Sequence, residues 1–322
     1  MQILVTGGAG YIGSFMTKSL LDGGNQVVVL DSLERGDTHV VDTRAKLVVG
    51  DLLDKQMVRD VLSSQRFDGV IHFAGFISMG ESMENPDLYF QKNTVSSLNL
   101  IEAMVQTKTN NLIFSSTAGV YGNPEQIPIM EDSPKQPQNP YGESKLMVEH
   151  MLSWFGKIHR FSYACLRYFN ACGAALDGKM GENHHPETHL IPSIMKAILT
   201  NKPFTLYGND YHTMDGTCVR DYIHVLDLVQ AHTLALQKLS TDAGAYTYNV
   251  GTGKGYSNKQ VMQMIEKITG KTIAVVNGSR RPGDADELVA DVSRIQKELG
   301  FQTKYSDLET IVKTAWEWHR QN

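Results

Sequence analysis

Residues 3–14 read Ile3-Leu-Val-Thr-Gly-Gly-Ala-Gly-Tyr-Ile-Gly-Ser14, and this stretch decides the fold. Ile3–Thr6 is a run of strand formers. From Ser14 to Asp22 the pattern predicts a helix that stops at Gly23-Gly24, the residue type expected at a helix C-terminus. Gly7, Gly10 and Gly13 fill the turn between them. Glycine there allows a tight turn, and without Cβ atoms the backbone N–H groups can approach a pyrophosphate, whose charge a helix N-terminus favours. The spacing alone also fits an ordinary turn. Its context argues for a dinucleotide, because Asp31 ends a second apolar strand, Gln26–Leu30. A carboxylate at that place accepts hydrogen bonds from an adenosine ribose and repels a 2′-phosphate, so NAD is expected rather than NADP. Arg35 is expected on the solvated loop beyond it.

Outward from this unit the alternation continues. Lys46–Val49, Gly69–His72, Asn111–Ser115 and Tyr163–Tyr168 read as strands, and Asp87–Gln106 and Tyr141–Phe155 as helices. Strands alternating with helices imply an α/β fold with a doubly wound parallel sheet of the Rossmann type. After Asn170 the texture changes. Residues 173–189 are rich in Gly, His, Asn and Pro and read as a loop. Ser257-x-x-Gln260 and Ser306-x-x-Glu309 each resemble a capping box. The expected division is a Rossmann domain over 1–171 and a second, smaller α/β substrate domain over 172–322, some segments of which return to the first.

The length, 322 residues, suits two domains, and 41% hydrophobic with 20% charged residues is ordinary globular usage. A formal charge of −5 argues against extended nucleic acid as a partner. There is no apolar run long enough to span a membrane, and the start of the chain lacks the basic region of a signal peptide. Three cysteines, Cys165, Cys172 and Cys218, without a C-x-x-C pair read as reduced thiols in a cytoplasmic protein, not as a disulfide frame or a metal site.

Tyr141-Gly-Glu-Ser-Lys145 places a phenol and an ammonium on one face of a helix. A phenol near pKa ~10 is a poor base at neutral pH, and a nearby ammonium and a nicotinamide cation both favour its phenolate. Ser115-Ser-Thr117 ends the fifth strand, where a hydroxyl can hydrogen-bond a reacting oxygen and relay its proton. Asp51 ends the third strand and suits either an adenine amine or a simple turn cap. In His72-Phe-Ala-Gly75 the small residues leave room for a cofactor backbone, and His72 reads as a packed strand-end side chain.

Taken together, these blocks identify the chain as similar to the extended short-chain dehydrogenase/reductases. Gly7–Ser14, His72–Gly75, Pro140-Tyr-Gly-Glu-Ser-Lys145, Leu166-Arg-Tyr-Phe-Asn170, Tyr207-Gly-Asn-Asp-Tyr211, Asp215–Val225 and Arg281-Pro-Gly-Asp284 narrow the resemblance to the branch that epimerises C4 of UDP-hexoses, along the whole chain. The resemblance implies tightly held NAD, regenerated each turnover. Gly7, Gly10, Tyr11, Ile12, Gly13, Asp31, Asp51, Leu52, Phe73, Ala74, Gly75, Asn93, Ser115, Tyr141, Lys145 and Tyr168 would contact it. Tyr141 would take the 4-hydroxyl proton with help from Thr117, giving a 4-keto sugar that turns about its diphosphate linkage and is reduced on the other face. Arg220, Arg281, Asn170 and His189 would hold the diphosphate, Asp284 the uridine ribose and Tyr207 the uracil, with Leu190 also at the substrate. Leu288 would border the hexose. The substrates implied are UDP-galactose and UDP-glucose, with UDP-N-acetyl sugars left open, and the assembly implied is a homodimer formed by helices that include 87–106 and 141–155.

The chain departs from that pattern in four places. Thr117 stands where many members have Ser, Ile77 where some have Lys, and His189 where others have Asn. Leu288 is intermediate in size at a position that is bulky in some members and small in others. A 4,6-dehydratase would need an acid and a base at positions 118 and 119, which here are Ala118 and Gly119. A non-catalytic NAD-binding protein would be expected to have lost Tyr141, Lys145 or the arginines, and all are present.

Overall fold

The structure is a computed structural model that describes residues 1–184, 186–281 and 283–322. Pro282, inside the Arg281–Asp284 motif, lies outside the described residues. In chain order the elements are β1 (Gln2–Thr6), α1 (Tyr11–Asp22), β2 (Gln26–Asp31), β3 (Lys46–Val49), α2 (Lys55–Ser63), β4 (Gly69–His72), α3 (Met79–Glu84), α4 (Pro86–Tyr89), α5 (Ser96–Thr107), β5 (Asn111–Thr117), α6 (Pro140–His159) and β6 (Ser162–Tyr168). There follow β7 (Asn170–Cys172), α7 (Leu190–Leu199), β8 (Phe204–Tyr207), β9 (Val219–His224), α8 (Val225–Thr241), β10 (Ala245–Val250), β11 (Gly255–Ser257), α9 (Asn258–Thr269), β12 (Val275–Gly278), β13 (Glu287–Leu288), α10 (Ser293–Leu299) and α11 (Leu308–His319).

Two compact units result. One comprises 1–120, 139–167 and 229–248, the other 121–138, 168–228 and 249–322. The larger sheet runs β10-β6-β5-β4-β1-β2-β3. From β1 the chain winds to β2 and β3 on one side, then to β4, β5 and β6 on the other, with parallel pairing of β1 to both β2 and β4. This is the expected doubly wound sheet. Its winding reverses beside β1, so the C-terminal ends of β1 and β4 border the switch point where such sheets bind ligands. β1 and β4 are apolar and almost wholly buried. Strands covered on both faces need no polar alternation, which is why they read as continuous hydrophobic runs. Leu4, Val28, Val70, Leu112 and Phe114 of the sheet join Val148 and Leu152 of α6 in one core.

Two local readings change. The helix expected over 87–106 is α4, then a π-helical turn over Phe90–Val95, then α5. The extra residue per turn in a π segment re-aims the side chains that follow it, and such turns recur at functional sites. The capping box expected at Ser306 is absent. Asp307 caps α11 instead, accepting from Thr310 N at 2.9 Å. Ser306 Oγ is drawn to the buried Asp227 carboxylate, which also takes the N–H groups of Lys304 and Tyr305 at 2.9 Å each. A buried charge recruits every donor within reach, and a hydroxyl used there cannot cap a helix. The box at Ser257 and Gln260 does form and opens α9.

In the smaller unit β9 is central. It pairs in parallel with β7 and β13 and antiparallel with β11. A separate parallel pair joins β8 to β12. Ile194 and Met195 of α7, Val261 and Ile265 of α9, and Ile311 and Val312 of α11 share the core of this unit. No helix among the described residues is long and apolar enough to cross a membrane.

Two fully buried histidines make stability depend on pH. His72 in the larger unit bonds Thr6 Oγ1 at 2.6 Å and Ser97 Oγ at 2.8 Å. Burial, with a smaller push from Lys145, lowers its pKa to about 3. Burial likewise lowers His224 to about 4. From pH 6.5 to pH 5 the unfolded chain takes up a proton at each site and the native chain does not. Stability should therefore fall by up to about 2 kcal/mol per histidine over that range. Urea midpoints measured across it check this, and a flat profile would contradict it.

Candidate active site

The larger unit brings its glycines into contact with the chain beyond β4. A Cβ on Gly7 would stand 2.5 Å from Ala74 N, and one on Gly13 would stand 2.1 Å from Gly7 O. Gly7 also has φ +72°. Only glycine fits either place. Gly10 precedes α1 with no side-chain cap, so this twelve-residue helix opens at the glycine turn with Tyr11 and Ile12 leading it. A turn of this form could hold a pyrophosphate. Asp31 is buried, and its carboxylate accepts from Ala9 N and Leu33 N at 2.9 Å each, which holds it rigidly beside the turn. Arg35 is committed elsewhere, to Glu81 at 2.6 Å and to the face of Phe76 at 4.2 Å. It brings no ion pair to Asp31, in keeping with the reading of NAD over NADP.

Asp51 caps its own turn at Leu53 N, 2.9 Å, and pairs with Lys92 at 2.8 Å. Leu52 turns its side chain into the core, so it can meet a cofactor only through backbone. Phe73 N and Ala74 N both donate to Thr6 O, at 2.9 and 3.1 Å, which binds the end of β4 to the end of β1. Gly75 follows. A Cβ there would lie 2.9 Å from Asn93 Oδ1 and 3.3 Å from Lys145 Nζ, so three separate segments converge on one glycine. Asn93 sits in the π turn and is buried. It accepts from Phe76 N at 2.7 Å and donates to Phe76 O and Ser144 Oγ, both at 3.0 Å.

α6 carries the phenol and the ammonium. Asn139 caps the helix, accepting from Gly142 N at 2.9 Å, and Pro140 occupies its first turn. Tyr141 therefore stands in the opening turn, buried in an aromatic cluster with Phe76 and Tyr89. Lys145, one turn on, is 3% exposed. Its Nζ donates to Ser115 O at 3.1 Å and lies 5.1 Å from the centre of the Phe114 ring. Burial lowers its pKa to about 8. A buried ammonium beside a phenol stabilises the phenolate.

Strand alternation separates the hydroxyl run. Ser115 and Thr117 share one face of β5 and Ser116 points to the other. Ser116 donates to Glu149 at 2.6 Å, and Glu149 is paired with Arg167 through two bonds, 2.9 and 2.6 Å, all buried. Thr117 Oγ1 accepts from Gly119 N at 3.0 Å. Ser116 thus ties α6 to the sheet, while Ser115 and Thr117 lie on the face opposite that tie.

In the smaller unit, register places Asn170 opposite Tyr222, and both Leu288 and Tyr256 opposite Arg220. Residues 220 and 222 of β9 share a face, so Asn170, Arg220, Tyr256 and Leu288 do too. Arg220 is buried and donates to Asp284 at 3.0 Å and to Val219 O at 2.8 Å. Tyr211 also reaches Asp284, at 3.3 Å. Arg281 lies over the Tyr207 ring at 4.3 Å. Leu190 opens α7, with His189 at the cap position. Tyr168 ends β6.

Residues 3–251 match the model of the NAD dependent epimerase/dehydratase family. The chain belongs to that family. It is 44% identical over its full length to a UDP-glucose 4-epimerase of Lacticaseibacillus casei, covering 98% of that protein. A UDP-glucose 4-epimerase of Brucella ovis, solved in complex with NAD, superposes with a TM-score of 0.94 at 43% identity, covering 98% of this chain and 97% of the other. One from Bifidobacterium longum, in complex with NAD+ and UDP, gives 0.95 at 35% identity, covering 100% and 99%.

The roles of several side chains that hold these residues in place escaped the sequence reading. They include Lys92, Glu149, Arg167, Glu182 and Tyr211. Lys92, Glu149, Arg167 and Tyr211 have partners 18 or more residues away, 18 for Arg167 and Glu149 and 73 for Tyr211 and Asp284, and Glu182 meets His189 seven residues on, across a loop whose path no periodicity sets. Arg167→Met should destabilise by about 3–5 kcal/mol in urea unfolding, because it strands a buried carboxylate. Adding Glu149→Gln should recover part of that loss, and an equal loss in the double variant would refute the account.

Proposed function

We propose that the protein interconverts UDP-galactose and UDP-glucose by epimerisation at the hexose C4, an NAD-dependent isomerase that keeps its cofactor through each turnover. The observation that carries this is the placing of Tyr141 and Lys145, both buried on one face of α6, with Lys145 against Gly75 and Ser115. The full-length likeness to epimerases supports it.

The glycine cradle with Tyr11 and Ile12 holds the cofactor pyrophosphate, and Asp31 its adenosine ribose. Asp51 and Leu52 border the adenine, and Phe73, Ala74, Gly75, Asn93, Ser115 and Tyr168 line the rest. Bound NAD supplies reversible hydride acceptance at the hexose C4. Tyr141, as phenolate, takes the 4-hydroxyl proton and later returns it, with Thr117 Oγ1 bonding the same oxygen. Lys145 sustains the phenolate and holds the nicotinamide ribose.

Arg220, Arg281, Asn170 and His189 hold the diphosphate, Tyr207 the uracil and Asp284 the uridine ribose, and Leu190 borders the substrate. Leu288, opposite Arg220 in register, borders the hexose. Firm binding of the unreactive nucleotide positions a sugar held loosely enough to turn. Ala118 and Gly119, which follow Thr117, offer no acid or base for a dehydratase.

A homodimer is the assembly that α6 favours. Met147, Trp154 and Ile158 are 40%, 63% and 67% exposed, and with Met151 they fall on one stripe of the helix. An apolar stripe of this kind suits a second copy. Reduced, buried Cys165, Cys172 and Cys218 accord with a cytoplasmic location.

Purified protein given UDP-galactose without added cofactor should yield UDP-glucose, and no conversion would sink the epimerase reading. Tyr141→Phe should lower kcat by about 10²–10⁴-fold while NAD remains bound. Near-normal turnover in that variant would remove Tyr141 as the base. In sedimentation at micromolar concentration the protein should run as a pair of chains and Trp154→Glu as one. A wild type that runs as a single chain would overturn the dimer.

A further inference from the structure

Glu182 lies in the loop that precedes α7. Its side chain is 4% exposed, although a buried carboxylate is costly unless it is paired. Oε1 accepts from His184 Nδ1 at 3.0 Å and from His189 Nδ1. The backbone is fixed from α11. Glu182 O accepts from Trp318 Nε1 at 3.2 Å, and Gly181 fits beneath that ring so closely that a Cβ would stand 2.3 Å from it.

A carboxylate oxygen only accepts, so both imidazoles carry a proton on Nδ1. At the cap position of α7, His189 makes no side-chain cap bond to the helix and turns its ring to Glu182 instead. Glu187 faces the same ring at 3.9 Å from the same loop. His184 stacks edge-on at 5.3 Å. Arg281, from the loop after β12, is the cation that opposes it. Glu182, and after it Glu187, outweigh that arginine and the partial burial of a ring that is 39% exposed, and the pKa of His189 rises to about 9. His189 and Arg281 thus lie within electrostatic reach of each other in one unit.

We propose that Glu182 is a positioning residue that keeps His189 an imidazolium, so that its Nε2–H serves with Arg281 and Arg220 as a third charged donor to the substrate diphosphate. The inference rests on the UDP-hexose reading above. It also accounts for a His that stands where related chains carry a neutral Asn.

Two measurements on NAD-loaded protein test it. The first follows the His189 imidazole by NMR in wild type and Glu182→Gln, with no substrate present. Its titration should drop from about 9 to near 7 as the pairing charge is lost. The second follows KM and kcat for UDP-galactose from pH 6 to 8.5. Wild-type KM should stay nearly flat. That of Glu182→Gln should match it at pH 6 and be about tenfold higher at pH 8.5, where an unsupported imidazole is neutral, with kcat unchanged. His189→Asn should have a flat KM profile, and adding Glu182→Gln to it should change nothing further.

An unmoved titration, parallel KM profiles, or an equal effect of Glu182→Gln on the His189→Asn background would each overturn the proposal. So would a KM raised by EDTA, which would make the four donors of Glu182, His184, Glu187 and His189, all within 4.8 Å of one another, a cation site. A shifted titration without turnover of UDP-galactose would instead refute the functional reading alone.

Discussion

The larger unit is organised around one buried charge. The Lys145 ammonium is removed from water, and the protein keeps it there with a carbonyl at 3.1 Å and the face of Phe114. That choice constrains its neighbours. Gly75 cannot carry a Cβ, because Asn93 and Lys145 occupy the space. Asn93 must reach back from the chain after α4, and the π turn re-aims it to do so. α6 must not shift along the sheet, and the Ser116–Glu149–Arg167 network anchors it one turn beyond Lys145. A buried cation held by fixed dipoles is ready to stabilise a developing phenolate without reorganising, the property that makes electrostatic catalysis effective.

The smaller unit handles charge differently. Its cations are each matched to a specific partner: Asp284 for the buried Arg220, the Tyr207 ring for Arg281 and Glu182 for His189. Each partner leaves donor capacity on its cation, since guanidinium carries five N–H groups and imidazolium two. A set of this kind suits an anion with several oxygens. It also shows why a net charge of −5 gives no warning of a nucleotide-sized anion, because a few placed cations suffice.

The parts of the fold legible in sequence were those written contiguously. β1, its glycine turn and α1 occupy residues 2–22, and Asp31 ends the next strand. The Tyr141/Lys145 pair was legible because helical spacing puts both on one face. The reading failed where a distant group outcompeted a local one. Ser306 looked like a cap until Asp227 claimed its hydroxyl. Residues 87–106 looked like one helix until the π turn interrupted them. No local signal foretold that Ala245–Val250 would form the outer strand of the first sheet.

The sequence by itself determined the winding of the sheet, the glycines of the turn after β1 that leave no room for a Cβ, and the placing of Tyr141 and Lys145 on one face of α6. These follow from local sterics and periodicity, which depend on residues a few positions apart. The tertiary structure alone decided which of three consecutive hydroxyls is spent on anchoring α6, which carboxylate caps a turn and which meets a cation, and that His189 is held by Glu182. Those outcomes turn on desolvation and on which groups the folded chain brings together, and burial is a property of the folded whole.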